Sequence, residues 1–505
     1  MADPKAAPAP APQVAPAAAP EAAGGLLDQV LTATKPKDDA QKSRNKEFIE
    51  ALVRQALEAK PGTVVAGDIE RTIQKWKADI DEKLSAQRNE IMHHKAFQKL
   101  EGTWRGLNYL VKQSETSTTL KLKVINVSKR TLFKDFERAI EFDQGAIFKK
   151  VYEAEYGQLG GKPYGMLVGD YEFDGKDSED MGLLQHVAKV AAQAHAPFVA
   201  AAGAEMFSLE SFTDLNSPRD LAKIFDHTIN VDYTVWSSFR ESDDSRYVAL
   251  TMPRVLARLP YGTGLADRKI DQFKYEEKVD GTDHSKYLWM SSAWALAARF
   301  TAAFAKDGRF MRTRGVQGGG QVEGLPLHTF TQAGGKTAKC PTEVLIPDRR
   351  EAELSGLGFL PLLHYEDTDK AVFIGTQTAN KPKTYFDHGA NANAELSTKL
   401  NYMLCVSRFA HYLKAMARDK VGSFAERGEM ELWLNNWIQN YVVPNPESVG
   451  DETKAKFPLQ GARVEVPSVK GKPGWYQAIA HLRPHFQLEG LATSMRLVAE
   501  LPQRT

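Results

Sequence analysis

The sequence predicts an α/β protein, and three observations carry that prediction. Two short apolar runs, residues 164–169 and 197–201, have the length of buried strands and flank a helical stretch at 183–194. This strand–helix–strand order is typical of a crossover unit in a sheet. A third apolar run, 247–252, ends at Pro253 and has the same character. We therefore expect an α/β fold with buried strands.

Composition sets limits on the class of protein. The chain has 505 residues, enough for two or three domains, and its 65 basic side chains balance 64 acidic ones to a net charge of +1. A general nucleic-acid binder usually shows a marked basic excess, so we do not expect one here. The two cysteines, Cys340 and Cys405, exclude a disulfide framework and fit a reducing cytosol.

No segment of the sequence predicts export or membrane insertion. The start lacks the basic region and apolar core of a signal peptide. The most apolar window, 287–298, is followed by Arg299, and it is shorter than the roughly 20 residues that a membrane span needs. We therefore expect a cytoplasmic protein.

The N-terminus predicts a tether followed by a short motif. Residues 1–25 are mostly Ala and Pro, cannot bury enough apolar surface to offset their ordering entropy, and are expected to be disordered. Residues 26–45 are expected to hold a short helix motif. Its isolated apolar patch consists of Leu26, Leu27, Val30 and Leu31. The patch could dock back on its own protein or enter a groove of a partner.

Residues 46–380 predict an N-terminal α/β domain. Residues 46–112 carry apolar stripes at helical spacing, and residues 122–127 alternate as a strand does. Residues 288–304 form a helix that is apolar nearly all round and must be enclosed. The Gly-rich stretch 315–337 predicts a long loop or insertion. Further elements are a helix around 132–136 and strands at 344–346 and 371–374.

Residues 381–505 predict a second, C-terminal domain with helices at 396–420 and 426–441 and strands at 463–466, 475–482 and 493–501. In the last strand, Met495, Leu497, Ala499 and Leu501 share one face, which is the period of a half-buried strand. We expect it to form a C-terminal hairpin with 475–482. A two-stranded hairpin is marginal alone, and its open edges invite another chain.

The stretch 236–262 is dense in charge beside the predicted strand 247–252. A buried charge without a partner is strongly destabilising, so we expect a structural ion network. Its predicted members are Arg240, Glu241, Asp243, Asp244, Arg246 and Arg254. Two alternatives are a catalytic or phosphate-binding arginine cluster and charges that pair with a neighbouring subunit.

Motifs that carry chemistry are incomplete in this sequence. The last three positions of the phosphate-loop motif are matched by Gly335, Lys336 and Thr337. The first glycine of that motif is missing, because position 330 is Phe330. We find no nucleophile elbow, no complete dinucleotide fingerprint and no zinc motif with paired ligands. The sequence therefore predicts no catalytic residue, no cofactor site and no metal site.

Several long strings carry a resemblance to a known family. They are SAQRNEIMHHKAFQKLEGTWRGL (85–107), YGQLGGKPYG (156–165), HAPFVAAAGAEMF (195–207), FRESDDSRYVALTMPRVLARLPYG (239–262), PTEVLIPDRRE (341–351) and GWYQAIAHLRPHF (474–486). The chain resembles the large sheath subunits of bacterial type VI secretion systems, the TssC/VipB family, from about residue 25 to its C-terminus. Such long, irregular strings are specific.

The resemblance implies two mixed α/β domains of the contractile tail-sheath type and a structural protein rather than an enzyme. It implies pairing with a small sheath subunit (TssB/VipA) and stacking with copies of the same heterodimer into a helical tube around an Hcp inner tube, with a baseplate at its end. Contraction of that tube would propel effectors into target cells.

The resemblance also assigns roles to the two ends of the chain. It favours recognition of Leu26, Leu27, Val30 and Leu31 by the ClpV unfoldase. It implies that the C-terminal hairpin, with Met495, Leu497, Ala499 and Leu501, joins an intersubunit sheet. A sheath of another phage-tail-like contractile device, or a cytosolic enzyme with an arginine-rich site, stays open as an alternative.

Overall fold

The structure is a computed structural model that describes residues 38–58, 66–217, 220–262, 275–332, 335–422, 427–471, 476–485 and 487. These residues form two compact units, one reaching to Arg88 and including Tyr275, the other beginning at Asn89. The predicted tether 1–25, the patch in the motif 26–45 and the predicted strand 493–501 lie outside the described residues.

Helices occur along the whole described chain. They are α1 (Asp39–Glu58), α2 (Ala66–Met92), α3 (Lys95–Gln113), α4 (Lys129–Arg138), α5 (Ala146–Phe148, continued by a π-helix at Lys149–Tyr156), α6 (Ser178–Ala194), α7 (Leu221–Ile224), α8 (Thr234–Glu241), α9 (Ser292–Asp307), α10 (Asp348–Gly356), α11 (His388–Leu396), α12 (Leu400–Asp419), α13 (Arg427–Gln439) and α14 (Asp451–Lys456).

The strands are short and belong to several sheets. They are β1 (Leu167–Phe173), β2 (Phe198–Ala202), β3 (Val248–Met252), β4 (Val255–Leu256), β5 (Trp289–Met290), β6 (Gln321–Val322), β7 (Thr329–Gln332), β8 (Gly335–Ala338), β9 (Phe359–Pro361), β10 (Leu363–His364), β11 (Ala371–Val372), β12 (Leu459–Glu465) and β13 (Ile479–Pro484).

A parallel four-stranded sheet in the order β1-β2-β3-β9 forms the centre of the second unit. Successive side chains of a strand point to opposite faces. In β3, Val248 and Leu250 therefore join one apolar cluster with α6, whereas Ala249 joins another with α9. Helices thus cover both faces, as is usual for a parallel sheet. The predicted α/β class is confirmed.

Helix α9 is enclosed on nearly all sides, as its sequence predicted. Ser291 caps its first turn by accepting a hydrogen bond from the Ala293 N–H. Leu296 and Phe300 have no exposed surface. Helix α3 packs against α9 and β5: Gly106 lies against Trp294 of α9, and Gly102 lies against the Trp289 carbonyl of β5.

The C-terminal part has an apolar cluster of its own beside α12, α13 and the β12–β13 pair. No division coincides with the predicted boundary at residue 380, because described residues on both sides belong to the second unit. Backbone bonds from Thr378 to Thr398 and from Leu400 to Thr376 cross it. The boundary between an N-terminal and a C-terminal domain stays a prediction.

Three predicted strands differ from the structure. Residues 122–127 and 344–346 are not part of any ladder within the described residues. The predicted strand 475–482 begins at Ile479, and its partner is β12. Because β13 has a second edge and residues 493–501 lie outside the described residues, the hairpin between 475–482 and 493–501 stays a prediction.

Candidate functional site

The charged stretch 236–262 folds into α8, a 3₁₀ turn at Asp243–Tyr247, and strands β3 and β4. Because the chain changes direction at each of these elements, its arginines are carried to separate places. The predicted single network is therefore divided into a carbonyl-bound arginine, a surface group and two buried ion-pair clusters.

Arg240 is buried and binds backbone carbonyls instead of carboxylates. Its Nε donates to the carbonyl of Ala379 over 3.1 Å and one terminal nitrogen donates to the carbonyl of Gly356 over 2.8 Å. The Asn380 amide donates back to the Arg240 carbonyl. Burial lowers the pKa of Arg240 to about 10. Arg240 thus joins α8 to the end of α10 and to residues 379–380.

Glu241 and Asp243 lie on the surface, which corrects their placement in a buried network. Glu241 is 59% exposed and reaches Lys381 over 3.4 Å. Asp243 is 67% exposed and contacts Arg246 over 3.2 Å and Lys383 over 3.4 Å. Exposed pairs of this kind contribute roughly 0.2–1 kcal/mol.

Asp244 is half-buried and has no ion-pair partner among the residues that the structure describes. Asp243, Asp244 and Arg246 lie in the 3₁₀ turn before β3, where Asp243 is exposed and the other two are half-buried. Of the six predicted network residues, only Arg254 pairs with a fully buried carboxylate.

That carboxylate is Glu343, whose side chain has no exposed surface. The Arg254 guanidinium donates to both Glu343 oxygens, over 3.0 and 2.7 Å, and the Arg254 N–H donates to one of them over 3.0 Å. His284 contacts Glu343 over 3.0 Å. Burial alone would raise the pKa of Glu343, but His284 and Arg254 together lower it. Every oxygen of this buried carboxylate is therefore paired.

A second cluster surrounds Arg258, which lies in the charged stretch 236–262 but is not among the six predicted network residues. Arg258 pairs with Glu277 over 2.5 Å and with Glu101 over 2.8 Å. Arg105 also contacts Glu101 over 2.7 Å, and His93 contacts Glu277 over 3.2 Å. Burial disfavours the charged guanidinium, but the two carboxylates outweigh it and raise the pKa of Arg258.

Local sequence patterns could not identify Glu101, Glu277 or Glu343 as partners. Glu343 is 89 residues from Arg254, and Glu101 is 157 residues from Arg258. The available signal was the family resemblance, because Glu101 and Glu343 both lie in strings that carry it. In both clusters carboxylates bind the guanidinium, so neither arginine is free for a phosphate group.

A cavity of about 490 Å³ opens at the carboxyl end of β1 and β2. Its lining mixes charges of both signs, including Lys99, Lys129, Glu172, Asp180 and Glu205. Lys129 is paired with Asp180 over 2.5 Å. The Glu172 side chain is 45% exposed in the cavity. The protein around it displaces part of its hydration, which raises the pKa of Glu172.

The described residues contain no group of three or more His, Cys, Asp or Glu side chains placed to hold a metal ion. Nor does any helix in the described ranges have the length and apolar character that crossing a bilayer requires.

The described hairpin of β12 and β13 has an open edge. The strands pair antiparallel from Glu465 opposite Ile479 to Leu459 opposite Pro484. Strand β13 pairs with β12 alone among the described strands. The predicted intersubunit residues Met495, Leu497, Ala499 and Leu501 lie outside the described residues, as do Leu26, Leu27, Val30 and Leu31. Their assigned roles stay predictions.

Two family models match the chain over most of its length. Residues 74–380 match "EvpB/VC_A0108, tail sheath N-terminal domain", and residues 389–501 match "EvpB/VC_A0108, tail sheath gpW/gp25-like domain". The chain is 48% identical over 476 residues to the type VI secretion system sheath protein TssC1 of Pseudomonas aeruginosa, with 94% of each chain covered.

Two solved structures show a distant likeness. One is the baseplate of the anti-feeding prophage, at 12% identity and a TM-score of 0.33, covering 63% of this chain and 66% of that one. The other is the contracted helical sheath of the same particle, at 10% identity and a TM-score of 0.28, covering 62% and 66%. Likeness at this level is too weak to support an argument.

Proposed function

Because this chain belongs to the EvpB/VC_A0108 family of type VI secretion tail sheath proteins, we propose that it is the large subunit of a contractile sheath that pairs with the small sheath subunit (TssB/VipA). The observation that carries the proposal is 48% identity to a type VI sheath protein over 94% of both chains. Identity at that level and length includes both regions matched by the family models.

The heterodimers stack with neighbouring copies into a helical tube around the Hcp inner tube, with the baseplate at one end. Contraction drives the inner tube and its effectors into a target cell. The stored energy lies in packing between subunits, so the chain needs no catalytic residue and acts in the cytoplasm. The two arginine clusters support this proposal, since each guanidinium is bound by carboxylates and not left free for a substrate.

The two ends of the chain supply the connections. The patch of Leu26, Leu27, Val30 and Leu31 is a handle for the ClpV unfoldase, which recycles contracted sheath. The segment with Met495, Leu497, Ala499 and Leu501 links neighbouring subunits as an added strand. The open edge of β13 supports this link, because unpaired backbone groups at a sheet edge invite another strand.

A secretion assay in the host bacterium tests the proposal. Deleting the gene should abolish release of Hcp into the medium while intracellular Hcp stays constant, and a plasmid copy of this chain should restore release. The matched control is a plasmid copy carrying Glu241→Ala, which changes an exposed pair and should restore release equally well. Normal Hcp release from the deletion strain would overturn the proposed function.

A further inference from the structure

Residues 120–127 contain the strand-like run 122–127 but belong to no helix or ladder among the described residues, and most of their backbone has no partner there. The segment connects α3 to α4. From Lys121 to Asn126, no backbone N–H or carbonyl forms a hydrogen bond within the described part of the chain. Extended backbone with unpaired polar groups is a template for an added strand.

The two ends of this segment are nevertheless fixed. Leu122 packs against the cluster that contains Leu110 and Trp294. At the other end, the Tyr171 hydroxyl donates to the Val127 carbonyl over 2.8 Å. A segment whose two ends are already held loses less conformational entropy when a partner binds than a free segment does.

Side chains in the middle of the segment are apolar and face solvent. Val124 is 68% exposed and Ile125 is 54% exposed. Both are β-branched, which is the type of residue that strands favour. These two side chains would gain contacts when a neighbouring strand covers them, since cross-strand pairs of β-branched residues stabilise a sheet.

The charge around the segment indicates what kind of strand would fit. Lys121 and Lys123 are exposed and two residues apart, and the charge of Lys162 lowers the pKa of Lys121. Lys123 pairs with Glu155, and the Lys162 N–H donates to the same carboxylate, so the lysines outnumber the carboxylate that they meet here. Opposite charges placed across two strands stabilise the pair, whereas like charges destabilise it. A strand that bears carboxylates would complement this surface.

The chain's own predicted strand at 493–501 is less suitable, because it carries one basic residue, Arg496, and one acidic residue, Glu500. We therefore propose that residues 120–127 are a recognition strand to which an acidic, strand-forming segment of the small sheath subunit adds by backbone hydrogen bonds. The identity of the partner rests on the proposed function, whereas the acidic strand chemistry rests on the contacts above.

Two variants of this chain, co-expressed with the small sheath subunit, test the proposal. Val124→Pro removes one backbone donor, and Lys121→Glu removes the charge excess while gaining an internal partner in Lys162. We expect an affinity tag on the large subunit to retain at least tenfold less small subunit with Val124→Pro and several-fold less with Lys121→Glu. Hydrogen–deuterium exchange should show that the unaltered amides of 121–126 become protected on pairing.

Matched controls are Ile140→Pro and Lys150→Glu. Ile140 is 90% exposed and follows the extended residue Ala139, a context that tolerates proline, and Lys150 is an exposed lysine nearby in the chain. Both should retain the small subunit within twofold of the unaltered chain. Thermal unfolding of each variant shows whether it is folded. If Val124→Pro is not folded, the retention by Lys121→Glu and the hydrogen–deuterium exchange of 121–126 test the proposal.

Each other outcome overturns the proposal in a distinguishable way. Undiminished retention by both variants, or amides of 121–126 that stay unprotected in the pair, would exclude the recognition strand alone. Amides already protected in the large subunit by itself, and released by deletion of residues 493–505, would show that the chain's own C-terminus occupies the site. Failure of the unaltered chain to retain the small subunit would overturn the proposed function and the inference with it.

Discussion

At the scale of single residues, Glu343 illustrates how a buried charge is held. It accepts hydrogen bonds from the Arg254 guanidinium and from the Arg254 N–H, and it contacts His284. Removing one partner of a buried ion pair leaves the other uncompensated, which is destabilising by roughly 3–5 kcal/mol. We therefore expect Glu343→Ala to lower the free energy of unfolding by about that amount. Urea unfolding of the purified heterodimer with the small sheath subunit measures the change.

Glu241→Ala is the matched control for Glu343→Ala, because it also removes a glutamate that pairs with a basic residue. Glu241 is exposed, so the free energy of unfolding should change by less than about 0.5 kcal/mol. Equal losses in the two variants would contradict the placement of Glu343 in a buried pair and of Glu241 at the surface.

His411 makes stability depend on pH. It is buried, contacts the Ala194 carbonyl through Nε2 over 2.8 Å, and lies near Arg408, His195 and Lys414. Burial lowers its pKa to about 4. Below pH 6.5 the unfolded chain binds a proton that the folded chain does not. The contribution of neutral His411 to the free energy of unfolding is therefore complete above pH 6.5 and is lost as the pH falls toward 4.

We expect the unaltered protein to lose on the order of 3 kcal/mol more stability than His411→Gln between pH 7 and pH 4.5. Glutamine keeps a donor for the Ala194 carbonyl but does not titrate in this range. Denaturant unfolding of both proteins at several pH values measures the difference. Parallel pH profiles would show that His411 is accessible to protons in the folded state.

At the scale of elements, the contacts of α3 with α9 and β5 depend on two glycines one helical turn apart, Gly106 and Gly102. A Cβ on Gly106 would lie 2.2 Å from the Trp294 ring, and one on Gly102 would lie 2.5 Å from the Trp289 carbonyl oxygen. Overpacking of this kind is destabilising by roughly 1–3 kcal/mol, whereas alanine alone would favour the helix by up to about 1 kcal/mol.

We therefore expect Gly106→Ala to lower the melting temperature of the heterodimer with the small sheath subunit. The control is Gly428→Ala in α13, where the added Cβ would meet no atom within 4 Å and the melting temperature should stay level or rise. A melting temperature that rises in both variants would show that α3 does not approach Trp294 as closely as described.

The elements that the sequence predicted well are those with a local signal. Strands β2 and β3 are continuous apolar runs, and α9 is apolar on every side. Residues 122–127 show the limit of such reasoning: their pattern is that of a strand, but a ladder needs a partner whose position no local pattern specifies. The partners of Arg254 and Arg258 were missed for the same reason.

Arg240 shows a different limit. A charge beside a buried strand was expected to find a carboxylate, but the ends of α10 and the turn at 379–380 present carbonyl oxygens within its reach. A prediction from side-chain charges alone does not include the backbone carbonyls at the end of a helix, which can also accept hydrogen bonds.

The C-terminal segment gives the next prediction at this scale. If residues 493–501 add as a strand to a neighbouring subunit, deletion of residues 493–505 should leave the heterodimer intact and abolish long tubes. Sedimentation and negative-stain images of the truncated pair provide the measurement. Tubes of normal length would show that this segment does not join the subunits.

At the scale of the whole molecule, assembly and recycling are expected to depend on different parts of the chain. Leu27→Asp with Leu31→Asp removes two apolar contacts of roughly 1.5–3 kcal/mol each if the patch enters a groove of ClpV. Sheath assembly should survive, and ClpV binding should fall sharply in a pull-down with purified ClpV. Undiminished binding would contradict the role of the patch.

Cryo-electron microscopy of this chain co-expressed with a small sheath subunit shows whether the two build a tube together. We expect striated hollow tubes whose helical repeat contains one copy of each subunit, with this chain's four-stranded parallel sheet recognisable in the density. Soluble particles without tubes, or tubes from which this chain is missing, would contradict it.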